Sequence, residues 1–430
     1  MSKSPPSCQP NRREFLKNST GAVVGGSLAA TLGAARAVHA GGSETIRVGL
    51  IGCGGRGSGA AMNAVRADEG VRITAMAEAF DDRLQRSRQI LARQAGDKLE
   101  VDDDHCFVGF DAYKDLLASD VDVVILATPP HFRPAHLRAA ILAGKHVFCE
   151  KPVAVDPTGV RHVLETATMA KQLNLSIVSG LCWRYDLGVR ETMKQIQDGA
   201  IGDIVAIQEN YLTGTLWHRG RKPEWSEMEF QIRNWLYFTW LSGDHIVEQF
   251  IHSLDKAMWL MGDQPPKRCF GLGGRQVRTD EKWGHVYDHF AVGYEWENGV
   301  KTYAFTRQIA NCRNDVEDYV LGTKGRARVL KHTIEGERDW RYPGPKGPSM
   351  YDNEHREFFA GIRAGNLINN GEYMSYSTLL AIMGREACYT GQEITWDEAI
   401  NSTQDLTPAE YQWGDVEVPA VARPGVTKFA

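Results

Sequence analysis

Three features of the chain predict an α/β fold in two parts. A short apolar strand, Ile46–Ile51, runs straight into glycines 52, 54 and 57 and then into a helical pattern. Strand and helix go on alternating as far as Cys149, with buried-type apolar runs such as Val121–Ala127. From about residue 203 the pattern turns to long alternating strands, with Asn298-Gly299 and Lys324-Gly325 as hairpin turns. The first two features imply a parallel sheet with crossover helices, the third a large, mostly antiparallel sheet. The boundaries read as 1–40 for a leader, 44–181 and 182–400 for the two domains, and 401–430 for a C-terminal tail.

The leader comes first. Arg12 and Arg13 in "RREFLK" precede an uncharged run, Asn18–Ala35, interrupted by glycines and hydroxyl side chains, and then small residues suited to cleavage after Ala37 or Ala40. Basic head, short apolar middle and small-residue site form the order of an export signal. The arginine pair resembles the twin-arginine type, whose partner is the twin-arginine export machinery. The run is too polar for a bilayer that requires about 20 apolar residues, so the mature chain is expected to be soluble, without a membrane span, and exported to the periplasm. Cleavage at Ala40 removes five basic residues and one acid, taking the formal charge from −5 to −9. An acidic protein of that kind argues against nucleic acid or anionic membrane as partner. The eight cysteines include Cys8 in the leader and form no C-x-x-C, so neither a zinc knuckle nor a disulfide framework is expected.

In the first domain, Gly52, Gly54 and Gly57 stand at G-x-G-x-x-G spacing between strand and helix. Gly52 allows the tight turn, Gly54 lets backbone approach a pyrophosphate, and Gly57 lets helix and strand close up, with phosphates on the helix N-terminus. A second strand ends at Glu78, where a carboxylate can accept both ribose hydroxyls and favours NAD over NADP. Ligands of open parallel sheets sit beyond the strand C-termini, which directs Thr128, His131, Glu150 and Lys151 towards the cofactor. Pro152 stiffens the loop that carries the Lys151 ammonium.

These residues resemble the glucose-fructose oxidoreductase and inositol dehydrogenase family, often written Gfo/Idh/MocA. "AGKHVFCEKP" is similar to its most specific motif, "TPPHF" to its T-P-N-H loop with Pro130 in place of Asn, and "LCWRYDLGVRETMKQIQDGAIGDIVAIQ" to its crossing into a second domain. The resemblance covers residues 45 to about 395 and extends the cofactor contacts to Gly55, Arg56, Pro129 and Arg184. It also implies helices on one side of the second sheet and an open face that serves as a homo-oligomer interface.

Within "GDHIVEQFIHSLDKAMWLMG", His245, Glu248, His252 and Asp255 fall at i, i+3, i+7 and i+10 and share one helical face, amid apolar neighbours. Buried charge is costly unless paired, so such a stripe suggests a site. A hydrogen-bonded core cluster and a metal site remain alternatives; no metal is expected. The resemblance supplies another reading: the family's D-x-x-x-H dyad matches "EQFIH", with Glu248 for Asp. His252 is then the general base for an alcohol proton, Lys151 stabilises the developing oxyanion, and Glu248 orients the imidazole. His245 and Asp255 are substrate-contact candidates. Trp217, among Trp225, Trp235 and Trp240 in the segment between the domains, offers an aromatic face to a sugar, although these rings equally suit the packing of an inserted helix.

Together these readings predict an exported NAD-dependent oxidoreductase of a sugar, glycoside or polyol. Because no nicotinamide pool exists outside the cytosol, the cofactor would travel with the enzyme, yet only "GGSE" precedes the first strand after cleavage, leaving no N-terminal arm to clasp it. The alternatives are a redox-neutral NAD-dependent glycosidase or lyase with tightly bound cofactor, and a sugar-binding protein without turnover.

Overall fold

The computed structural model describes residues 44–430 except position 346; the leader reading falls outside these residues. The first domain is a six-stranded parallel sheet of β1 (Ile46–Ile51), β2 (Val71–Glu78), β3 (Cys106–Val108), β4 (Val123–Leu126), β5 (His146–Cys149) and β6 (Ile177–Ser179), in the order β3-β2-β1-β4-β5-β6. All of its pairings are parallel. β4 and β5 are buried throughout, as a central strand covered by helices on both faces must be. The order reverses direction between β1 and β4, and the crevice at such a switch point is where open α/β sheets bind ligands.

The second domain carries a nine-stranded sheet. Its strands are β7 (Ile204–Thr213), β8 (Arg268–Gly274), β9 (His289–Glu295), β10 (Lys301–Gln308), β11 (Asp315–Gly322), β12 (Gly325–Arg328), β13 (Thr333–Gly336), β14 (Trp340–Arg341) and β15 (Ile394–Thr395). They lie in the order β14-β13-β12-β11-β7-β10-β9-β8-β15. Only β7 and β10 pair in parallel. The two expected turns join β9 to β10 and β11 to β12, with Gly299 at φ +85° where a side chain would be strained. One face packs on helices Ile251–Leu260 and Gly371–Thr390. The other leaves Phe270, Leu272, Tyr303 and Phe305 between 38 % and 77 % exposed.

Helix Met350–Ala364 follows the second sheet in sequence but packs on helix Gly55–Ala67 of the first domain. Its Phe358, Phe359 and Ile362 complete a core with Val48, Leu50, Ala61 and Val123. Among the described residues no helix is long and apolar enough to cross a membrane.

Candidate active site

The floor of the site is the end of β1. Gly52, at φ +96°, leaves no room for a side chain, since a Cβ would lie 2.6 Å from the Ala127 carbonyl carbon and the Thr128 nitrogen. Gly57 sits against the Gly52 carbonyl oxygen, so helix and strand meet as closely as the glycine spacing requires. A Cβ at Gly54 or Gly55, in contrast, would meet nothing. Helix Gly55–Ala67 starts there with no side-chain cap and no acid in its first turn, so its free N–H groups and positive dipole end face the cleft. This donor set fits a pyrophosphate.

A cavity of about 630 Å³ opens over this loop, lined by Gly52, Gly54, Gly55, Arg56, Glu78, Thr128, Pro129, Glu150 and Lys151 from the first domain and by Tyr211, Trp217, Glu248, Gln249 and His252 from the second. Glu78 accepts N–H bonds from Cys53 (2.9 Å) and Ala79 (2.8 Å), and burial pushes its carboxyl up. The buried Thr128 hydroxyl has no protein partner, as befits a group facing a ligand. Arg56 Nε lies 2.8 Å from Glu150 Oε1, and its guanidinium stands 4.9 Å over the Tyr351 ring. Arg133, wholly buried, donates to the Thr128 carbonyl (2.6 Å) and to the Pro152 carbonyl, tying the loops after β4 and β5 together; the Lys151–Pro152 peptide is cis.

The reactive end lies where the domains meet. Lys151 Nζ donates to the Glu248 carbonyl (2.6 Å) and to Glu248 Oε1 (3.1 Å). His252 lines the same cavity, and burial followed by the Lys151, Lys256 and Arg56 charges holds its imidazole well below the usual histidine range. The ring is therefore neutral, as a proton acceptor must be.

The stripe expected on a single helix is broken. Asp244, at φ +71°, caps a four-residue turn, His245–Glu248, and a second helix begins only at Ile251. The break sends the four side chains different ways. Glu248 reaches Lys151, not His252, so the expected orienting bond is absent, and His252 Nδ1 is buried without a partner. His245 points into the core, 3.1 Å from Asp244 Oδ1 and against Phe290. Asp255 is 1 % exposed and binds Arg184 (2.9 Å) and Ser377 (2.8 Å). His245, Asp255 and Arg184 thus lie outside the lining of the cavity, where substrate or cofactor contacts were expected; two of them satisfy each other as a buried ion pair. His131 is likewise turned away, its Nε2 2.7 Å from the Tyr411 hydroxyl, and burial lowers it to about 4. Trp217 lines the cavity beside Trp235 and Arg219, while Trp240 is buried against Gln231, so much of the aromatic segment is packing. Tyr211, Gln249, Arg83 and Tyr351 also line the cavity. No sequence motif singles them out; only the assembled fold brings them there.

A dinucleotide-shaped crevice beside a lysine and a neutral histidine defines an NAD-binding oxidoreductase of two domains. Residues 46–177 match the model of the oxidoreductase family with NAD-binding Rossmann fold, and residues 189–328 match the GFO/IDH/MocA C-terminal domain. The chain belongs to this GFO/IDH/MocA family. It is 26 % identical over 366 residues to inositol 2-dehydrogenase of Burkholderia cenocepacia (strain HI2424), covering 81 % of this chain and 94 % of the relative. Scyllo-inositol dehydrogenase from Lactobacillus casei, solved with NAD(H) and scyllo-inositol, shares the fold at TM-score 0.62 and 20 % identity, over 82 % of this chain and 99 % of its own. A levoglucosan dehydrogenase, in complex with NADH and levoglucosan, does so at TM-score 0.64 and 19 % identity, over the same shares.

Proposed function

We propose that the protein oxidises a secondary hydroxyl of a sugar, glycoside or cyclic polyol, with His252 as general base, and that it works after export. The observation that carries the reading is the meeting of Lys151, from the first domain, and His252, from the second, in one cavity above an uncapped glycine-loop helix. The glycine loop, Glu78 and Thr128 would hold the dinucleotide, which when bound would supply the hydride acceptor. Loss of hydride from carbon requires the hydroxyl proton to leave, and neutral His252 takes it. The Lys151 ammonium donates to the same oxygen and stabilises its developing negative charge. Glu248 holds that ammonium in place through two bonds, so its role is to aim Lys151. The acts of inositol 2-dehydrogenase and the bound ligands of the two solved relatives support the ring-polyol class of substrate.

The "RREFLK" leader supports export. The exposed apolar face around Phe270, Leu272, Tyr303 and Phe305 supports assembly with a second copy of the chain. The deciding experiment incubates the purified protein with inositols, aldoses and glycosides. Stoichiometric NADH formation from a free polyol supports a dehydrogenase. Release of an aglycone with no net NADH and with deuterium uptake from heavy water supports instead the redox-neutral glycosidase or lyase. Neither outcome with any substrate would overturn the reading.

A further inference from the structure

On the Glu78 side the cavity wall is aromatic, built from Phe110 and Phe132. Phe110 follows Gly109, which sits at φ +120° and whose N–H donates to the Glu78 carbonyl (3.0 Å). Its support comes from the far end of the chain. Trp413 lies tilted 4.5 Å from Phe110 and 5.2 Å from Phe80, and Tyr411 lies 6.0 Å from Phe110 and 5.7 Å from Phe132. The Tyr411 hydroxyl also meets His131 at 2.7 Å, in the loop that carries Thr128 and Pro129.

This stretch has no helix or strand of its own and is pinned at both ends. Before it, Gln404 accepts from Arg385 (2.9 Å) and the Leu406 N–H donates to Asp156 (2.9 Å). After it, the Gly414 carbonyl accepts from Met228 (3.0 Å). Tyr411 and Trp413 remain 43 % and 46 % exposed, so burial alone gives a poor account of why two large rings are held there.

We propose that Tyr411 and Trp413 are positioning residues for the adenosine half of the dinucleotide. They press Phe110 and Phe132 against it and slow its departure, acting as a C-terminal strap. The inference rests on the reading above that the crevice holds NAD.

Stopped-flow displacement of NADH from the full chain tests it. Trp413→Ala should release NADH about tenfold faster, with its association rate and melting temperature little changed, and Trp413→Phe should restore the slow release. Tyr411→Phe, which removes only the hydroxyl bond to His131, should accelerate release about threefold. Wild-type release rates in both Trp413→Ala and Tyr411→Phe overturn the proposal and leave the NAD reading intact. If Trp413→Ala fails to fold, Tyr411→Phe decides alone by the same rate. A wild-type protein that binds no dinucleotide sinks both readings at once.

Discussion

With His252 as the proposed base, its neutral ring in a field of cations fixes how activity should depend on pH. Its folded-state pKa lies well below the ordinary histidine value near 6.5, so the imidazole stays able to accept a proton as the pH falls through that value. The rate of alcohol oxidation should therefore hold steady as the pH falls through 6.5 and decline only well below it. A pH–rate profile with an acid limb centred above 6.5 would contradict the assignment. His252→Ala should lower hydride transfer by about 10²- to 10⁴-fold while leaving cofactor affinity unchanged, as equilibrium titration with NADH would show. That Lys151 and His252 come to one cavity was legible in the sequence because their motifs are local. Their geometry was not, because a single helix over residues 245–255 places Glu248 beside His252, whereas the positive φ at Asp244 and the break before Ile251 re-aim it towards Lys151.

At the scale of elements, the segment that crosses between the domains is held by an ion pair that sequence spacing could not reveal. Arg184 binds both Asp255, at 2.9 Å, and Asp263, at 2.6 Å, and its ring neighbour Tyr373 lies 3.9 Å below the guanidinium. Removing Asp255 leaves that buried guanidinium with only the half-exposed Asp263 to balance it. Asp255→Ala should cost about 3 kcal/mol or more of stability, read by urea unfolding, with the dissociation constant for NADH unaltered. A substrate contact at Asp255 would instead appear as a raised KM in a protein of normal stability. The strands themselves were legible, since period-two alternation and the Asn298-Gly299 turn are local signals. The pairing of β7 with β10 across about ninety residues was not, because parallel neighbours carry no turn signature between them.

For the whole molecule, acid is expected to be destabilising. Burial lowers His131, His146 and His285 to about 4 and His136 and His355 to about 3. Each is neutral when folded but takes a proton near pH 6.5 when unfolded, so the unfolded chain binds more protons and stability falls as the pH drops from 6.5 towards 4. Burial raises Glu209 and Glu354, which keep their protons in the folded chain, and this opposes the loss only above about pH 4.5, where the unfolded carboxyls are ionised. The melting temperature should thus decline gently from pH 6.5 to 4.5 and steeply below. Assembly can be checked on the same scale. If the open sheet face joins two copies, Leu272→Glu should shift the mass measured by light scattering to that of a monomer, because Leu272 is 77 % exposed in the single chain.

The return of helix Met350–Ala364 to the first domain has a consequence for biosynthesis. Phe358, Phe359 and Ile362 fill the same core as strands made some three hundred residues earlier. While the ribosome is still extending the second sheet, that apolar surface on helix Gly55–Ala67 has no cover, so the nucleotide-binding half cannot reach its final form as a nascent chain. A truncated product ending near residue 181 should be degraded or captured by chaperones in the cell, and adding the separate 350–364 peptide should partly protect it from protease. The first domain is begun first but is completed only once helix Met350–Ala364 has been made.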